Sequence, residues 1–144
     1  MTMKDSIKSI IVSILFGFGV LCSLTISAQK SIEDTYWLAP QSAEELVNPI
    51  KDEEAALKLG KKIYTNECVV CHGKYGNAET DIAKNLEQKP KNFTQEGFST
   101  QSDGAIFWKL SEGRGLMQPF KTMLTEEEIW SVVIYVRKLA QAED

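Results

Sequence analysis

The stretch NECVVCHGKYG, residues 66–76, sets two cysteines three positions apart, places His72 directly after the second, and closes on Gly73 and Gly76. Two thiols and an imidazole at that spacing fit three chemistries: a redox disulfide, part of a zinc site, or the attachment point of a prosthetic group. The rest of the chain weighs between them.

Cysteine chemistry depends on compartment. The chain opens MTMKDSIKSIIVSILFGFGVLCSLTISAQK, with Lys4 and Lys8 ahead of an apolar run that ends in small and polar residues at Ser27 and Ala28. This is the three-part layout of a secretory signal peptide over residues 1–28, with cleavage after Ala28 and a periplasmic, exported product. The run over residues 10–28 is also just long enough to span a bilayer, so an uncleaved membrane tether is the competing reading. Cys22 invites lipidation, but Val20 and Leu21 before it lack the small side chains of a lipoprotein cleavage site; it reads as an apolar residue of the exported segment.

The remainder has the length of one ordinary domain, with an extended arm over residues 29–51 and the domain proper over residues 52–144. The whole chain carries 16 basic and 20 acidic side chains, a net charge of −4. Loss of Lys4, Lys8 and Asp5 with the leader makes it slightly more acidic, and nucleic acid is not an expected partner.

Without Cys22, the cysteines are Cys68 and Cys71, and His72 is the only histidine in the chain. A structural zinc site needs four ligands, and this set offers three at most, two of them adjacent along the backbone. A thioredoxin-like pair expects a strand before its motif. What precedes CVVC reads instead as a helix, DEEAALKLGKKIYTN: Asp52 is a good N-cap, Glu53 and Glu54 complement the helix dipole, and Ala56, Gly60, Ile63 and Tyr64 share one face. Gly60 costs about 1 kcal/mol against alanine inside a helix, which marks it as a contact point for another helix. The reading that uses all five positions is C-x-x-C-H as a covalent haem attachment site. Cys68 and Cys71 supply two thioethers, and His72 is the proximal iron ligand.

An iron held by one histidine needs a sixth ligand, and no second histidine exists. Met1 and Met3 leave with the leader, so the soft ligands available are Met117 and Met123. Met117 follows Gly113 and Gly115 and precedes Pro119 in SEGRGLMQPFKTML, an extended segment able to carry a side chain over a flat ring. It is the expected distal ligand. Met123, just before Leu124 and the next helix cap, reads as packing.

Residues 103–112 read as a short helix capped by Ser102 and stopped at Gly113. Residues 125–140 form the clearest helix: Thr125 and Glu128 make a capping box, and Ile129, Val132, Val133, Val136, Leu139 and Ala140 form a core stripe widened by Trp130 and Tyr135. A short helical piece falls near residues 81–86 within a loop. The arm, broken by Pro40 and Pro49, is either a strap whose Trp37 and Leu38 pack onto the domain or a tether.

From Glu53 to Ala140 the chain resembles a monohaem class I c-type cytochrome. The matching landmarks are GKKIY ahead of CVVCH, AIFWKLSEGRGLMQPF with the methionine, and LTEEEIWSVVIYVRKL as the closing helix. The resemblance implies an all-α fold, about three to five helices wrapped around one haem c, with the first and last helices crossing. That crossing would set Gly60 and Tyr64 against Trp130 and Tyr135. It also implies a contact from Trp108 to a haem propionate, the alternative being an aromatic packed toward the core. Two departures stand out. Gln118 intervenes between Met117 and Pro119, and Glu79, Thr80 and Asp81 occupy the place where relatives often carry a proline whose carbonyl orients the proximal imidazole. Which carbonyl orients His72 is therefore open.

With His72 and Met117 both bound, no coordination position is left for substrate, which implies an electron-transfer protein and not an enzyme. The expected role is a periplasmic electron carrier or the haem subunit of an exported redox complex. A quinol-oxidising complex or dehydrogenase is the donor and an oxidase or reductase the acceptor. A labile Met117 would point instead to a peroxidase-like enzyme or gas-binding protein, although no histidine would remain for distal acid–base work.

Overall fold

The computed structural model describes residues 37–141. The leader, Cys22 and the start of the arm lie outside them. The element order is α1 (Gln41–Glu44), α2 (Glu53–Glu67), α3 (Val69–His72), α4 (Asp81–Asn85), α5 (Asp103–Glu112), a 3-10 turn (Phe120–Thr122) and α6 (Glu126–Gln141). Among the described residues the only β-type pairing is an isolated bridge between Arg114 and Met117, so the fold is all-α. Among the described residues α2, α5 and α6 are the longer helices, and α1, α3 and α4 are single turns.

The three longer helices begin where their caps place them. Asp52 accepts from the Ala55 N–H at 3.0 Å to start α2. Ser102 accepts from the Ala105 N–H at 3.0 Å to start α5. For α6, the Glu128 N–H donates to Thr125 Oγ1 at 3.3 Å and the Thr125 N–H donates to Glu128 Oε2 at 2.8 Å. Such caps satisfy amide groups that have no partner inside the helix, and each is worth about 1 kcal/mol.

The core is the crossing of α2 and α6. Ala56, Gly60, Ile63 and Tyr64 are buried on α2, and Ile129, Trp130, Ser131, Val132, Val133, Val136 and Leu139 on α6. Fully burying an aliphatic side chain of this size contributes about 1.5–3 kcal/mol, so this seam dominates stability. Gly60 makes the close approach possible: a Cβ built on it would lie 2.0 Å from the Ser131 carbonyl oxygen and 3.1 Å from Tyr135 Cβ. Tyr64 and Tyr135 meet with ring centroids 5.2 Å apart. Trp130 is buried on α6. Its ring stacks on Phe107 of α5, 4.2 Å between centroids and 16° between planes.

Arg137 fastens α5 to α6, donating from Nε to Asp103 Oδ1 at 2.7 Å and from its other nitrogens to the Ser99 and Gln101 carbonyls. The arm is not extended throughout. After Pro40 it makes the single turn α1, which buries Ala43 and packs on α5, with the Ser102 hydroxyl donating to Glu44. Leu38 is exposed.

Candidate functional site

The end of α2 builds the site. Cys68 closes α2 and opens α3, its own N–H donating to the Tyr64 carbonyl at 2.9 Å. Its carbonyl then accepts from the Cys71 N–H at 3.2 Å and the His72 N–H at 2.9 Å, so both cysteines and the histidine ride one helical turn. Both cysteines are free thiols, Cys68 buried and Cys71 half-buried. Burial, with smaller contributions from Glu67 and Cys71, pushes the Cys68 thiol up to about 12. That is the opposite of the low-pKa thiol that drives disulfide exchange.

The backbone around the turn is tied off. Tyr64 Oη donates to the Gly73 carbonyl at 2.7 Å in the interior, and the Ala78 N–H donates to the His72 carbonyl at 2.8 Å. The His72 ring is half-buried, and Nδ1 lies 3.0 Å from the carbonyl oxygen of Lys91. A carbonyl only accepts, so Nδ1 carries the proton. Burial lowers the pKa of His72, opposed by the bond to Lys91, which leaves a neutral imidazole with its Nε2 lone pair available. Such a second bond fixes tautomer and ring orientation wherever histidine binds a metal.

Beside Cys68 lies a closely packed apolar patch of core formed by Ile63, Leu110, Phe120, Leu124, Ile129 and Val132. Met117 reaches the same core from a tight loop. The Arg114 N–H donates to the Met117 carbonyl at 2.8 Å and the Met117 N–H returns to the Arg114 carbonyl at 3.0 Å. Gly113, at φ +64°, makes the turn, and a Cβ there would sit 2.4 Å from the Met117 oxygen. Lys121 and Glu112 clasp the loop with an ion pair of 2.6 Å. The Met117 side chain is half-buried against the core, whereas Met123 is 53% exposed and does not do the packing expected of it. Trp108 is half-buried on α5.

The donor set suits a haem attached through a C-x-x-C-H turn. Two unpaired thiols and a neutral imidazole stand on one turn next to an apolar patch of core, with a thioether side chain at the edge of the same core. Sequence reading missed Lys91. Its signal, a proline at position 90 followed by the Asn92-x-Thr94 turn, fixes a backbone carbonyl without any chemically telling side chain.

Residues 55–136 match the family described as cytochrome C oxidase, cbb3-type, subunit III. Cytochrome c6 of Chlorolobion braunii is 34% identical over 85 residues, covering 58% of this chain and 90% of that protein. Cytochrome c6 of Parathermosynechococcus lividus is 32% identical over 82 residues, covering 57% of this chain and 88% of its own. Among solved structures, the KustC0563 c-type cytochrome superposes with a TM-score of 0.50 at 34% identity, covering 57% of this chain and 98% of that one.

Proposed function

We propose that this chain, which belongs to the cytochrome C oxidase, cbb3-type, subunit III family and is a monohaem class I c-type cytochrome, works as a periplasmic one-electron carrier with His/Met-ligated iron. Its cofactor is one covalently attached haem c, and its activity is electron transfer, not catalysis of a substrate's conversion. A haem bound here supplies a ferric/ferrous couple.

The chain's own residues do the rest. Cys68 and Cys71 would hold the porphyrin by thioethers, and His72 would present Nε2 to the iron. The Lys91 carbonyl holds the imidazole in the tautomer this requires. Met117 would supply the second protein ligand to the iron. A thioether ligand beside the apolar side chains of Ile63, Leu110 and Phe120 would favour the less charged ferrous state and raise the potential. His72 is the chain's only histidine, so none is left to act as a distal acid–base group. The observation that carries this reading is the turn on which two unpaired thiols and an Nδ1-bonded imidazole stand together.

The cytochrome c6 names of the relatives favour an electron-transferring cytochrome, and the oxidase-subunit name of the family favours a terminal oxidase as acceptor. A quinol-oxidising complex or dehydrogenase is the fitting donor. Such encounters are small, burying under about 1,200 Å². Among the described residues no helix is long and apolar enough to cross a membrane.

The test is a potentiometric titration of the purified protein combined with acid-acetone extraction. A single one-electron wave and a haem that resists extraction are expected, with Cys68→Ala and Cys71→Ala each leaving at most one thioether. A colourless protein with a reducible bond between Cys68 and Cys71 would replace this reading with a redox disulfide.

A further inference from the structure

Lys91 and Phe93 belong to one short segment, and both touch His72. The Lys91 carbonyl meets the ring edge at Nδ1, 3.0 Å away. The Phe93 ring lies on its face, 4.6 Å between centroids and 17° from parallel. A hydrogen bond alone leaves a planar ring free to swivel about the donor–acceptor line, and a flat surface against its face removes that freedom.

The segment is pinned for this contact. The Phe93 N–H donates to the Gly76 carbonyl at 2.7 Å. Asn92 accepts from the Thr94 N–H at 2.8 Å and the Thr94 hydroxyl at 2.9 Å, closing a side-chain turn around Phe93. Gly76 makes room, since a Cβ there would fall 2.9 Å from Phe93 Cδ2. The Phe93 ring, buried, is braced by Phe98 at 4.9 Å and by the edge of Tyr64 at 6.5 Å. Filling this volume needs only an aliphatic side chain; holding the imidazole plane needs a flat one.

We propose that Phe93 is a positioning residue for His72, fixing the rotation of the imidazole plane while the Lys91 carbonyl fixes its tautomer. The inference rests on His72 being the iron ligand. The plane of an axial imidazole sets the anisotropy of the ferric iron's magnetic tensor, so a structural role alone would not move that signature.

The experiment uses full-length holoprotein. Electron paramagnetic resonance of the ferric form should show shifted or broadened g values in Phe93→Leu and Phe93→Met, and wild-type values in Phe93→Tyr, which keeps the flat face. Unshifted g values in whichever of the Leu and Met variants folds would overturn the proposal. In the ferrous wild type, nuclear Overhauser contacts should connect the ring protons of Phe93 and His72, and their absence would overturn it without any variant. Those His72 protons should also be displaced far upfield by the haem ring current. Were they at ordinary shifts, it is the ligand assignment that fails; displaced protons without contacts to Phe93 sink only the positioning role.

Discussion

The carbonyl of Lys91, 19 positions further along the chain, accepts the Nδ1 proton of His72 at 3.0 Å. A backbone atom therefore governs the chemistry of the chain's only imidazole, and the loop that carries that atom becomes part of the site. A firm acceptor at Nδ1 makes the imidazole a stronger donor at Nε2.

Loosening that loop should be visible at the metal. Asn92→Ala removes the acceptor of two short bonds from Thr94 and is expected to cost about 1 kcal/mol of stability. With the Lys91 carbonyl less firmly placed, the imidazole donates less and the reduction potential should rise. Potentiometry and denaturant melts of the variant check both; a potential identical to wild type would show that the carbonyl holds its place without the turn.

Gly60→Ala should be severe. The added methyl would sit 2.0 Å from a backbone oxygen of α6, which no side-chain rotation can relieve. Overpacking of this kind costs about 3 kcal/mol or more when backbone must shift. Guanidinium unfolding of the holoprotein measures it, with exposed Lys61→Ala expected to stay within about 0.5 kcal/mol of wild type.

The helices that were legible in the sequence are those with side-chain caps: Asp52, Ser102 and the Thr125–Glu128 box each announce a start, and Thr80 caps α4 in the same way. The turn α1 was not legible, because Pro40 offers no side-chain acceptor and four residues show no periodicity. Gly60 announced a helix contact, but the atom that closes on it belongs to the backbone of Ser131, and a carbonyl has no sequence signature. The same holds for Lys91 at His72. The residue types in CVVCH suggested the chemistry, while the orienting oxygen depended on how a loop folds back. Met123 misled because an apolar side chain beside a helix start looks like core from pattern alone, yet the 3-10 turn before it leaves it half in solvent.

The capping box gives a pH dependence with a definite sign. The Thr125 N–H, and then its hydroxyl, hold the Glu128 carboxyl below its ordinary value of 4.5. A depressed carboxyl contributes stability that is present above that ordinary value and is lost as pH falls through the folded one. Thermal melts of wild type and Glu128→Ala should therefore differ at pH 6, and the gap should close as the pH is taken below about 4.5. A gap that persists unchanged into acid would mean the carboxylate is not what caps α6.

The sharpest test of the account is the near-infrared spectrum of the ferric protein, because it reads the sulfur–iron bond on which the carrier role depends. Wild type and Met123→Ala should both show the weak band of methionine sulfur on haem iron, and their ferrous forms should bind carbon monoxide poorly. Met117→Ala should lose the band, drop in potential and take up carbon monoxide. A wild type that lacks the band and binds carbon monoxide readily, or a Met117→Ala spectrum indistinguishable from wild type, would contradict the assignment of Met117 and with it the closed iron of an electron carrier.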